Sequence, residues 1–274
     1  LALNALGEYT PFYWAPLSLR SNDVKGLLQA ENVRRAIALV EVGQQGLAEQ
    51  ELRKYFPEAD IQLSEAILRL AVALDLPALQ IRIGSLLEEA VSRPYEVALY
   101  PVPNWKLKSG YLVDQALLLS IVRQESIFNE RARSRRGARG LMQLMPRTAT
   151  FIDGEQRYHR NGNADLLYEP QLNVELGQRY LSYLLSSEMF DGNLLLSLAA
   201  YNSGPATVKK WRKEVDYRDD PLLFIESVPS RETRWFLRRV LTNLGVYRSR
   251  LGQAGLSLQS IVAGEWPHHF AMGK

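Results

Sequence analysis

The chain of 274 residues is 46% hydrophobic and 23% charged, with a net charge of +3, which is the composition of a globular protein holding one large core or two modest ones. It has no cysteine, which excludes disulfides, thiolate metal sites and cysteine nucleophiles, and only three histidines, His159, His268 and His269, too few and too scattered for a Ser-His-Asp triad or a histidine-rich metal centre. No stretch of eighteen apolar residues could cross a membrane as a helix, and a pI near 9.0 allows an anionic polymer as partner without the basic density of a nucleic-acid tail.

The chain begins LALNALGEYT, with neither methionine nor a signal-peptide pattern, so the sequence is expected to be a processed or truncated piece of a longer protein. The first hundred residues are rich in Leu, Ala, Glu and Arg and read as short helices joined by brief turns. SNDVKGLLQ offers Ser, Asn and Asp as N-caps, and ENVRRAIALVEVG closes on Gly43. GLAEQELRKYF stops before Pro57; LSEAILRLAVALDL follows, and then PALQIRIGSLLEEAVS, with Pro77 at a first helical position. This reads as a stack of helical hairpins, a fragment of an α-solenoid or simply a packing module. The prolines of YPVPNW (100–105) break the pattern and mark the domain boundary.

Beyond it the spacing predicts helices over 112–127, 146–152, 171–189, 194–202, 206–214, 221–226 and 231–250. Asn193 caps LLLSLAAY, and Asp220 precedes a first-turn proline, Pro221. Phe236, Val240, Leu241, Leu244 and Tyr247 form a core stripe, and little sheet is expected because no sustained alternation occurs.

Three stretches stand out in this half. In IVRQESIFN, Leu118, Ile121 and Val122 line one helical face, and the next position on it is Glu125, where burial penalises a charged group. In SRRGARGLMQLMP (134–146), Gly137 and Gly140 allow tight bends, and Leu141, Met142, Leu144 and Met145 are suited to wall a groove. In AAYNSGP (199–205) an apolar helix stops at a Tyr-Asn-Ser-Gly turn. Each has an ordinary structural explanation: a buried acid paired with an arginine, helix-ending glycines, core-filling methionines, a C-cap. The arginines at 131, 133, 135, 136 and 139 read on charge alone as a solvated loop.

Taken in order, ES at 125–126, SRRGARGLMQLMPRTA at 134–149 and AYNSGP at 200–205 resemble the soluble lytic transglycosylases, members of a lysozyme-like superfamily acting on bacterial peptidoglycan. FIESVPSRETRWFLRRVL (224–241) is similar to the family's closing segment. The resemblance implies an all-α chain, with residues 1–97 a helical superhelix or linker fragment and 98–274 a lysozyme-like catalytic domain. By the same match Glu125 is the single catalytic carboxylate, protonating the glycosidic oxygen and then accepting the proton of the C6 hydroxyl of N-acetylmuramic acid as it closes a 1,6-anhydro ring. Tyr201 orients Glu125, Ser134 bonds near the reacting sugar, and Gln143 and Met145 line the groove. Asn202 holds the turn or a sugar, and Glu226 is a further groove acid. The family implies peptidoglycan strands and muropeptides as partners, a periplasmic location, and neither metal nor organic cofactor. A hydrolytic muramidase is the near alternative, with Asp153, Asp165 or Glu226 activating water. A non-catalytic wall-binding scaffold and a nucleic-acid binder are the alternatives of other classes, the latter lacking aromatics interleaved with the arginine loop.

Overall fold

The computed structural model describes residues 12–55, 60–154, 158 and 163–268. Among them every extended element is a helix, and β-pairing is limited to the isolated bridges Arg133–Arg139, Arg139–Leu144 and Asn193–His268. The described residues fall into two units, Phe12–Trp105 and the residues from Lys106 onward. The division lies at the end of YPVPNW, the stretch whose prolines mark the boundary in the sequence, and a few residues beyond the 97/98 division drawn from the resemblance.

The N-terminal unit contains α1 (Ser21–Leu27), α2 (Glu31–Glu41), α3 (Gln45–Tyr55), α4 (Ile61–Ala73), α5 (Pro77–Val91) and α6 (Glu96–Leu99). α2 packs on α3 and α4 on α5, as antiparallel neighbours joined by short turns do. Leu27, Val33, Leu52, Ile67, Leu68, Leu79, Ile83 and Leu87 meet in one core. Asp60 caps α4 by accepting from the Leu63 N–H at 3.0 Å, and Pro77 does open α5. The caps expected from SNDVKGLLQ are displaced. The N-cap of α1 is Arg20, and Asp23 lies inside the first turn, accepting from the Arg20 N–H at 3.0 Å. Arg69, with a side chain only 8% exposed, claims Asp23 at 2.7 Å, so this acid joins two helices and holds its proton less readily than a free aspartate.

The C-terminal unit is built around α7 (Gln115–Ser126). Seven consecutive residues, Ala116 to Val122, are buried, so this helix is covered on every side and runs through the middle of the unit. Asp114 caps it, accepting from the Ala116 N–H at 2.9 Å, and is itself paired with Arg248 at 3.0 Å. The helix ends where Ile127 and Phe128 turn left-handed, with φ of 51° and 61°; Phe128 is buried and anchors the exit. Glu125 therefore occupies the last turn. After the glycine loop come α8 (Pro146–Asp153), a 3-10 turn over Asn163–Tyr168, α9 (Pro170–Ser186) and α10 (Leu194–Ser203). α11 (Pro205–Glu214), α12 (Pro221–Ser227), α13 (Arg231–Arg250) and α14 (Leu256–Val262) complete the unit. Asn193 and Asp220 cap α10 and α12 through their side chains, as their positions before the apolar runs indicated. α13 lies along α7 and buries Phe236, Val240, Leu241, Leu244 and Tyr247, the stripe read from the sequence. α14 and the 3-10 turn are too short to show a period, and the sequence reading missed both.

Candidate active site

Glu125 is partly buried at the C-terminal end of α7. Removal from water is the main force on its carboxyl and the negative charge of Glu232 the second, and together they push its pKa up to about 8. The C-terminal end of the helix dipole acts in the same sense, because it disfavours an anion in the last turn. No hydrogen bond or cation among the described residues opposes these effects, so the arginine partner that would have made Glu125 an ordinary buried acid is absent from its surroundings. At neutral pH the group holds its proton.

Tyr201, on α10, is the aromatic neighbour of this carboxyl. Burial raises its pKa, and the charges of Glu125 and Tyr180 add to the effect. Its ring lies 5.5 Å from that of Tyr180 and 6.3 Å from that of Phe236, nearly parallel to the latter. The hydroxyl donates its one proton to the Met142 carbonyl at 2.8 Å. That proton is therefore committed to a buried carbonyl at the turn before Gln143.

The glycine loop is folded back on itself. Arg139 and Leu144 exchange both backbone hydrogen bonds at 3.0 Å, and the Gly140 N–H reaches Ala132 O at 2.9 Å. At Gly140 φ is +76°, and a Cβ built there would stand 2.1 Å from Leu167 O and 2.4 Å from Asn173 Nδ2, so only glycine fits. Ser134 sits in the turn, with its Oγ accepting from the Ala138 N–H at 3.0 Å, which leaves the hydroxyl proton available. Gln143, at φ 48°, gives its amide protons to Gly140 O and Ala132 O at 2.8 and 3.0 Å; it braces the loop, and only its carbonyl oxygen is left to face a ligand. Of the four apolar loop residues expected to wall a groove, Leu141, Met142 and Leu144 are instead core, Met142 lying so close to Gly177 that a Cβ there would be 2.2 Å from its sulfur. Met145 alone is exposed, at 37%.

Asn202 accepts from the Thr233 hydroxyl at 2.8 Å and so ties the end of α10 to the start of α13. That bond sets the position of the preceding residue, Glu232, whose charge reaches Glu125. Glu232 was not read from the sequence, since an acid two residues after a capping Ser230 is what a helix N-terminus takes for its dipole. Glu226, chosen from the sequence, sits in an exposed ion pair with Arg238, which offers two donors to its carboxylate. The acids considered as water activators are also engaged. Asp153 accepts from the Tyr158 hydroxyl at 3.0 Å and lies 3.7 Å from Arg179, and Asp165 pairs with Arg139 at 3.2 Å. His159 and His269 lie outside the described residues.

Residues 104–224 match the Transglycosylase SLT domain family. The soluble lytic murein transglycosylase of Escherichia coli K12 is 37% identical over 144 residues, a match that spans 53% of this chain and only 22% of that protein. Two solved structures are similar over almost the whole chain. The 70 kDa soluble lytic transglycosylase of Escherichia coli is 26% identical with a TM-score of 0.75, covering 98% of this chain and 43% of that one. An inactive Glu-to-Gln mutant of lytic transglycosylase Slt from Pseudomonas aeruginosa is 25% identical with a TM-score of 0.62, covering 99% and 43%. The chain is thus all-α with a lysozyme-like fold, and its residues 104–224 match the Transglycosylase SLT domain.

Proposed function

We propose that the chain is the catalytic part of a peptidoglycan lytic transglycosylase, a carbon–oxygen lyase of the periplasm that cleaves the β-1,4 bond between N-acetylmuramic acid and N-acetylglucosamine. The observation that carries this reading is the state of Glu125: a carboxyl held protonated by burial, unpaired with any cation, beside the half-buried Tyr201. Such a group is a general acid at neutral pH. Glu125 gives its proton to the glycosidic oxygen as the C1–O4 bond breaks. The resulting carboxylate then takes the proton of the muramoyl C6 hydroxyl while O6 bonds to C1, and the enzyme returns to its starting state with no water consumed. The nucleophile belongs to the substrate, and in well-oriented cases such intramolecularity is worth up to about 7–11 kcal/mol. Asp153, Asp165 and Glu226 are tied to arginines, which favours chemistry that needs no second free carboxylate.

Tyr201 orients Glu125 in this reading by accepting from it, since its own proton is committed to Met142. Ser134, with a free hydroxyl proton, bonds to the reacting sugar; Met145 forms part of the groove wall, and the Gln143 carbonyl oxygen faces the same cleft. Asn202 serves the site by holding α13. The relatives support the reading in their own names: both solved neighbours are lytic transglycosylases, and the Pseudomonas aeruginosa protein is inactive as a Glu-to-Gln mutant.

One observation favours a second reading. Glu232 lies within electrostatic reach of Glu125 and could activate water, which would make the enzyme a hydrolytic muramidase. Digestion of purified sacculi, with products resolved by mass spectrometry, separates the two. Anhydromuramoyl ends support the transglycosylase, and reducing ends carrying an added water support the hydrolase.

A further inference from the structure

Asn173 lies in the first turns of α9, fully buried on the inward face of a helix whose other buried residues are apolar apart from Gln178. A polar amide in such a place is costly unless satisfied, and its bonds all go to the same neighbourhood. Its Oδ1 accepts from the Met142 N–H at 2.7 Å, and its Nδ2 donates to Arg139 O at 2.9 Å and to Leu167 O at 2.8 Å. One side chain thus holds both ends of the segment 139–142, and the loop comes so close to it that residue 140 must be glycine. The peptide that Asn173 grips by its N–H belongs to Met142, whose carbonyl is the acceptor for Tyr201. The line of contact runs from α9 through one loop residue to the aromatic neighbour of Glu125.

We infer that Asn173 is a positioning residue for the reaction: by fixing Met142 it keeps the Tyr201 proton pointed away from Glu125, so that the acid meets a lone pair rather than a donor. The inference rests on the transglycosylase reading for its consequence in catalysis, although the clamp itself can be read without turnover. A hydrogen bond donated to a carboxylate stabilises its charged form. Releasing Tyr201 from Met142 would let it donate to Glu125 and cost the acid its proton near neutrality. The other groups that face this carboxyl are Glu232 on α13 and, behind Tyr201, Tyr180 on α9, and neither is touched by the substitution.

The test follows the Glu125 carboxyl by carbon-13 NMR titration, together with kcat and KM on purified sacculi, in the wild type, Asn173→Ala, Tyr201→Phe and the double variant. Asn173→Ala is expected to lower the Glu125 midpoint by about one pH unit and kcat by roughly 100-fold with little change in KM. Adding Tyr201→Phe is expected to cancel the movement of the midpoint, because no hydroxyl remains to donate. A midpoint unmoved in Asn173→Ala, or moved equally with and without the Tyr201 hydroxyl, overturns the inference. Should the alanine variant not fold, Asn173→Ser, which can restore only part of the bonding, is read in the same way. A wild type that titrates as described but releases no anhydromuramoyl product overturns the functional reading and its catalytic consequence, whereas the titration still decides the clamp.

Discussion

At the scale of single residues, the site depends on one proton in an unfavourable place. The native state keeps Glu125 protonated up to about pH 8, whereas an unfolded chain releases that proton near the ordinary value of 4.5. The unfolded state is therefore increasingly favoured as pH rises between these values, and the cost to the fold is complete above the upper one. Glu125→Gln cannot ionise and escapes this cost. It is expected to melt higher than the wild type in alkaline buffer, with the difference closing in acid, as scanning calorimetry at the two pH extremes would show. Its turnover on sacculi should fall at least about 100-fold, the lower range for loss of a general acid. Glu232→Gln removes the like charge and should lower the Glu125 midpoint, so the alkaline limb of kcat moves to lower pH. An unmoved limb would mean that the two acids do not interact in solution. At this scale the sequence showed Glu125, because an acid on an apolar stripe has a visible anomaly. It hid Glu232, because an acid after a serine cap has none.

At the scale of elements, capping residues were readable and loop roles were not. Asn193, Asp220 and Pro77 stand where local chemistry alone dictates a helix start, and the structure places them there. Asn193→Ala should cost about 1 kcal/mol in denaturant unfolding while leaving kcat near the wild-type value, since α10 keeps its apolar packing. The loop over 131–145 behaves differently. Its glycines announce a tight path, yet nothing local reveals that Leu141, Met142 and Leu144 turn inward or that Asn173, some thirty residues away, holds them. Those contacts are long-range and leave no period. Gly140→Ala tests the tightness of the path. Its methyl group would meet the Leu167 carbonyl at 2.1 Å, in a backbone conformation that alanine disfavours. The variant should lose more than about 1 kcal/mol of stability and most of its activity. Wild-type melting and rates would show that the loop is slacker than described.

At the scale of the whole molecule, the described residues form two units, and the candidate site lies in the second. The helical character of the first hundred residues was legible from composition, and the prolines of YPVPNW marked the break at whose end, Trp105, the unit closes. The chain spans 22% of the Escherichia coli K12 relative in sequence and 43% of the solved 70 kDa structure. What the described part determines is the number of carboxylates free to act. Its other candidate acids are bound to arginines, apart from Glu232. Digestion of sacculi in oxygen-18 water, followed by mass spectrometry of the muropeptides, tests this most directly. An attack by the substrate's own C6 hydroxyl predicts anhydromuramoyl ends one water lighter than hydrolytic products and free of label. Reducing ends carrying oxygen-18 would contradict it and transfer the second catalytic role to Glu232.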